Sequence, residues 1–87
     1  MLLACKVQYK SSVFNDLKNI DKQTAKRILD SIENDLADDL NKGIPLEGNF
    51  KGLFKYRVGS YRVIFARIED GIVVLRIGHR KKVYKKK

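Results

Sequence analysis

The sequence predicts an α+β fold: an N-terminal strand, then a two-helix hairpin packed on a small, mainly antiparallel sheet. Three observations carry this expectation. Ala25, Ile28, Leu29, Ile32, Leu36 and Leu40 recur at the three-and-four spacing of one helix face. Residues 53–77 hold three runs rich in β-branched and aromatic side chains, separated by Gly59-Ser60 and Asp70-Gly71, which both suit two-residue hairpin loops. A chain of 87 residues with 44% hydrophobic side chains is large enough for one modest core, so residues 1–87 are read as a single domain.

Taken in order, Lys6-Val7-Gln8-Tyr9-Lys10 alternates polar and apolar residues as a short strand does, with Val7 and Tyr9 facing inward. Ser11 and Ser12 are N-cap candidates for a first helix, whose apolar face would be Val13, Phe14, Leu17 and Ile20. Asp21 is placed to cap the second helix, which carries Lys22, Lys26, Arg27, Asp30, Glu33 and Asp38 on its outer face. Gly43 is placed to stop that helix, and Pro45 prevents it from restarting. A loop over 46–52 leads into the strands. Those at 61–68 and 72–77 are apolar in both alternation phases, which predicts central strands covered on both sides; the strand at 53–58 is more mixed.

The turns predict registers. A loop at Gly59-Ser60 sets Val58 opposite Tyr61 and Arg57 opposite Arg62, while a loop at Asp70-Gly71 sets His79 opposite Arg62 as well. Arg57, Arg62 and His79 would then share one row, with Lys55 on the same face one pair further along. Tyr56 and Tyr61 fall on the opposite face, as core or rim. Like charges placed directly opposite destabilise a sheet, so an anion between Arg57 and Arg62 is the natural explanation of the pair.

Charge points the same way. Nineteen Lys and Arg against ten Asp and Glu give a net charge of +9, and seven of the cations fall between Arg76 and Lys87. That balance favours nucleic acid, the ribosome or an acidic protein partner over small neutral substrates. Cys5 is the single cysteine, so an intramolecular disulfide is excluded and a reducing, cytoplasmic setting is expected. Leu2-Leu3-Ala4-Cys5 follows no positive segment and no long apolar run, and no stretch approaches the length of a membrane span. No cofactor and no metal are expected, because His79 is the sole histidine and no pair of carboxylates stands at ligand spacing beside it.

The chemistry open to such a set is phosphate chemistry. Lys55, Arg57, Arg62 and Arg80 can grip phosphate oxygens and neutralise the charge that develops on a phosphorane. His79 or Tyr84 can move a proton, and Lys55, standing among other cations, is a second candidate base. The bland alternatives are that Lys55 and Arg57 are edge-strand charges that deter aggregation and that Tyr84 packs against the sheet.

Leu53-Phe54-Lys55-Tyr56-Arg57-Val58, Tyr61-Arg62-Val63-Ile64-Phe65 and Ile77-Gly78-His79-Arg80-Lys81-Lys82-Val83-Tyr84 together resemble the RelE branch of the RelE/ParE toxin superfamily. The resemblance covers essentially the whole chain. It implies a fold related to small microbial ribonucleases and the toxin of a type II toxin-antitoxin system. It further implies ribosome-dependent cleavage of mRNA in the A site, by attack of a ribose 2'-hydroxyl that leaves a 2',3'-cyclic phosphate and a 5'-hydroxyl. By the same resemblance Lys55 is the general base and Arg57 a second basic position on its strand. Arg62 and Arg80 bind the scissile phosphate, and Tyr84 stacks on or orients a base. Position 79 is His where some relatives carry Lys, which makes His79 a candidate proton carrier. The implied partners are a cognate acidic antitoxin, the ribosome and mRNA, with no membrane. Two other functions stay open: a ParE-like poison of DNA gyrase, and a non-catalytic basic module that binds nucleic acid.

Overall fold

Residues 5–79 are described by the computed structural model. They form β1 (Lys6–Tyr9), α1 (Ser11–Lys18), α2 (Lys22–Ser31), β2 (Ile44–Pro45), β3 (Phe54–Val58), β4 (Tyr61–Ile68) and β5 (Gly71–His79). The sheet order is β1-β5-β4-β3-β2. β1 runs parallel to β5, and the remaining pairs are antiparallel. The α+β expectation is met, with β1 closing one edge and the two-residue β2 the other.

The core lies between the hairpin and one face of the sheet. Val13, Ile28, Ile32 and Leu36 are fully buried against Val63, Phe65, Ile72 and Val74, with Val7 and Tyr9 packed at the border. Asp21 caps α2 as expected, accepting from the Thr24 amide at 3.1 Å. Beyond Ser31 the chain continues for five residues, Ile32–Leu36, as a π-helix. A stripe that steps by four, as Ile28, Ile32 and Leu36 do, drifts by roughly 40° per step around an α-helix. The wider π turn takes back part of that drift and keeps all three on the core.

Several local expectations are corrected. Lys10, not Ser11 or Ser12, occupies the N-cap position of α1, with no side-chain cap bond. The Ser12 hydroxyl instead donates to the Leu75 carbonyl at 2.7 Å, tying α1 to β5. Phe14 is 57% exposed, because Val13, Leu17 and Ile20 set the buried azimuth and the next residue lies about 100° away. Gly43 does not end α2. Its φ is −77°, and its role is close approach: a Cβ there would lie 2.3 Å from Cζ of Phe65.

The β3–β4 hairpin has the expected register, Val58 opposite Tyr61 and Arg57 opposite Arg62. Gly59 at φ 61° supplies the left-handed first position of its two-residue turn. The β4–β5 hairpin departs from expectation twice. Gly71 belongs to the strand, opposite Ile68 and beside Lys6, so the turn is Glu69-Asp70. A Cβ on Gly71 would lie 1.8 Å from the Lys6 carbonyl oxygen, so glycine is required by the packing of β1. A bulge then inserts Leu75, since Phe65 faces Val74 and Ile64 faces Arg76. His79 therefore faces Tyr61, and Gly78 faces Arg62. The same bulge explains why 72–77 looked apolar in both phases: Ile72 and Val74 point to the core before it and Ile77 after it. β4 and β5 are central, but the described helices pack on only one of their faces.

Candidate nucleic-acid interface

On the face of the sheet opposite the hairpin, alternation and register place two rows of side chains. Ile44, Lys55 and Ile64 lie side by side in one row, and Arg57 and Arg62 lie side by side in the next. The rows are about 7 Å apart, two residues of strand rise. Ile44, Lys55, Arg57 and Arg62 line one small cleft of about 110 Å3. Arg57 is exposed, whereas Lys55 and Arg62 are half-buried and the Arg62 Nε is withdrawn from solvent. Gly78 opposite Arg62 offers no side chain, which leaves room on that flank for the guanidinium.

The cleft stands on a braced backbone. Tyr56, between Lys55 and Arg57, turns into the core with 8% of its surface exposed, and its hydroxyl donates to Asp35 at 2.5 Å. Asp35 belongs to the π-helix and also pairs with Lys42, two residues before Ile44. The Lys42 ammonium, then the Tyr56 hydroxyl, hold the Asp35 carboxyl below the usual carboxylate range. Burial, reinforced by Asp35, pushes the Tyr56 phenol up to about 12. Tyr9 makes the matching contact on the other side of the hairpin, donating to Glu33 at 2.7 Å; burial and then Glu33 raise its phenol well above the ordinary value.

At the bulge, α1 supplies the partners that the distorted ladder needs. Asp16 accepts from the Ile77 amide at 2.9 Å and from Nε and Nη2 of Arg76, both at 3.0 Å, while Ser12, one helical turn earlier, takes the Leu75 carbonyl. Asp16 thereby raises the Arg76 guanidinium further. Arg76 is an ion-paired structural cation.

Among the site residues expected from sequence, the structure brings Lys55, Arg57 and Arg62 together and separates His79 from them. The expected row of Arg57, Arg62 and His79 does not form, because the displaced turn and the bulge shift β5. His79 lies on the hairpin side, edge-on to Tyr61 with ring centroids 5.8 Å apart, in a groove shared with Asp16 and Asn19. Arg80 and Tyr84 lie outside the described residues. Sequence reasoning overlooked Ile44 and Asp35. The β2–β3 pairing that places Ile44 spans only two residues, and Asp35 gains its role only from Tyr56 and Lys42, which lie 21 and 7 residues further along the chain. Among the described residues, no group of three or more His, Cys, Asp or Glu is placed to hold a metal ion. Three cations converging on an open sheet face suit a phosphodiester: guanidinium pairs grip its planar oxygen edges, and the ammonium of Lys55 stands one row away.

Comparison with known proteins bears on the family and on the fold. Residues 7–84 match the model of the family described as ParE toxin of type II toxin-antitoxin system, parDE. The chain is 29% identical over 84 residues to Toxin RelG of Mycobacterium tuberculosis, a match spanning 92% of this chain and 95% of that protein. It superposes on a chain of the toxin-antitoxin complex RelBE2 from Mycobacterium tuberculosis with a TM-score of 0.83 at 25% identity, covering 90% of this chain and all (100%) of that one. The archaeal RelE-RelB complex from Pyrococcus horikoshii OT3 gives a TM-score of 0.66 at 26% identity, covering 93% and 100%. Two helices on a five-stranded mixed sheet are thus the arrangement found in RelE-like toxin structures.

Proposed function

This chain belongs to the ParE toxin family of type II toxin-antitoxin systems, and from that premise we propose that it is an mRNA interferase, a ribosome-dependent endoribonuclease that cuts message in the A site. The observation that carries this reading is the direct cross-strand pairing of Arg57 with Arg62, one row from Lys55, on the sheet face that the described helices leave open. Likeness to RelE-type toxins supports it.

In this reading Arg57 and Arg62 hold the non-bridging oxygens of the scissile phosphate. Lys55 takes the proton of the neighbouring 2'-hydroxyl. The 2'-oxygen forms a bond to phosphorus, and the bond to the 5'-oxygen breaks, which leaves a 2',3'-cyclic phosphate and a 5'-hydroxyl. Charge gathers on the phosphorane between the two guanidiniums, where fixed cations stabilise it more than the ground state. Arg80 and Tyr84 keep the roles that the resemblance implies, phosphate binding and base stacking, and Tyr84 is the candidate donor for the departing 5'-oxygen. His79, on the other face, takes no part in proton transfer.

The site is short of acid-base groups, so positioning has to supply much of the rate. Holding a nucleophile in line can contribute about 7–11 kcal/mol in favourable intramolecular systems, and a ribosome that presents the codon against this sheet would do so. The cognate partner is an acidic antitoxin that neutralises a domain of net charge +9; several of the similar solved structures are toxin-antitoxin complexes. The test compares one labelled message free and in programmed ribosomes, with product ends analysed. Rapid cutting only on the ribosome, with cyclic phosphate and 5'-hydroxyl ends, is expected; equal cutting of both forms overturns ribosome dependence. The description of the matched family as ParE favours a second reading, a gyrase poison, and an uncut message together with inhibited DNA gyrase would establish it in place of the first.

A further inference from the structure

The cationic cleft has one wall without charge. Ile44 is 56% exposed, and it lies in the cleft with Lys55, Arg57 and Arg62. Its Cα partner is Lys55, so its side chain stands on the same face as the cations. We infer that Ile44 is the platform for a nucleobase, and that it positions the nucleotide whose phosphate the two arginines hold. The inference rests on the nuclease reading of the same cleft and extends it to a residue that supplies no charge.

Spacing makes the assignment specific. Adjacent strands are about 4.8 Å apart and rows on one face about 7 Å apart. Ile44 on β2 is therefore one strand from Lys55, and the Arg57–Arg62 pair lies one row further along β3 and β4. A nucleotide laid across these positions with its phosphate between the guanidiniums has its ribose over Lys55 and its base over Ile44. The order phosphate, sugar, base matches the order two guanidiniums, one amine, one apolar side chain. It also brings Lys55 to the 2'-hydroxyl, where a base has to act. An apolar platform accepts any base face and rewards the larger purine surface, because apolar contact scales with buried area.

The position of Ile44 is held from beneath. Lys42 is tied to Asp35, and Gly43 presses its backbone against the Phe65 ring, with no room for a Cβ. Both constraints lie within two residues of Ile44, so the platform is carried by the core and not by a free loop.

The test uses the full-length protein in two assays. In the first, a dinucleotide whose 5' nucleotide carries 2'-deoxyribose, and so lacks the attacking hydroxyl, is titrated into protein labelled at isoleucine δ1 methyls, beside a counterpart with the same phosphate but no base on that nucleotide. An upfield shift of the Ile44 methyl with the first ligand only is expected; identical shifts with both, or none, overturn the inference. In the second, Ile44→Ala is compared with wild type on programmed ribosomes. A rise in KM of roughly three- to tenfold, with a narrowed preference for purine, is the expected outcome. Unchanged KM and base preference in the folded variant, with or without weakened antitoxin binding, would make Ile44 surface or antitoxin contact and reject the platform. Arg62→Ala keeps the two readings apart: if it abolishes cutting while Ile44→Ala changes nothing, the nuclease stands and the platform falls, and if wild type cuts no message, both fall.

Discussion

The Tyr56 hydroxyl lies 2.5 Å from an Asp35 carboxylate oxygen, and this bond joins the strand that carries Lys55 and Arg57 to the π-helical end of the hairpin. Asp35 reaches Lys42 as well, so one carboxylate braces both β3 and the approach to β2. The walls of the cationic cleft are thus set from the core side of the sheet. Tyr56→Phe keeps the ring and removes only the hydroxyl. It is expected to cost about 1–2 kcal/mol of stability, measured by urea denaturation, and to slow cleavage by loosening Lys55 and Arg57 while the overall fold, followed by circular dichroism, is retained.

The same bond predicts how stability depends on pH. The Asp35 carboxyl is held low in the folded state, first by Lys42 and then by Tyr56. Its contribution is therefore complete above the ordinary aspartate value of about 3.9 and is lost as pH falls through the lower folded value. Tyr56 has the opposite sign. Burial and then Asp35 raise its phenol from 10.0 to about 12, so that contribution is complete below 10.0 and is lost as pH rises towards 12. Thermal melts from acid to alkali should show both limbs. Asp35→Asn should flatten the acid limb, and Tyr56→Phe the alkaline one.

Arg62→Ala and Arg80→Ala are each expected to abolish growth arrest while the protein folds and binds its partner. For Arg62 the loss in cleavage rate should be about 10²–10³-fold, the scale found when one preorganised donor to a developing oxyanion is removed. Arg62→Lys keeps the charge without the two-pronged geometry and should recover only part of the rate. Full toxicity of the folded double variant would rule out the cationic face as the site.

Gly43→Ala tests packing at the edge of the cleft. The added methyl would stand 2.3 Å from the Phe65 ring, and Phe65 is fully buried, so the ring cannot turn away into solvent. Overpacking of this kind costs about 1–3 kcal/mol. A variant as stable as wild type in chemical denaturation would show that the ring has space to move.

Antitoxin binding should weaken as salt rises. The toxin domain carries +9, and exposed charges separated by more than about 10 Å are largely screened at 0.1 M ionic strength. Titrations at two salt concentrations should show the loss mainly in association rate. A salt-independent affinity would mean an interface made chiefly by apolar contact.

Local patterning alone determined the hairpin stripe, the Asp21 cap and the tight turn at Gly59, because each depends on residues a few positions apart whose geometry is set by helix or turn. The Arg57–Arg62 pair was legible for the same reason, since a two-residue loop leaves no freedom in the register next to it. The position of His79 was not. It depends on a turn displaced by the fit of Gly71 against β1, and on a bulge at Leu75 whose backbone groups are met by Ser12 and Asp16 from more than 55 residues earlier in the chain. Only the packed structure decides such a slip, and because side chains alternate along a strand, a slip of one residue moves a side chain to the other face. Ile44 and Asp35 followed the same rule: nothing in the neighbourhood of either residue marks it, and each acquires its place from a strand or a tyrosine that the tertiary fold brings to it.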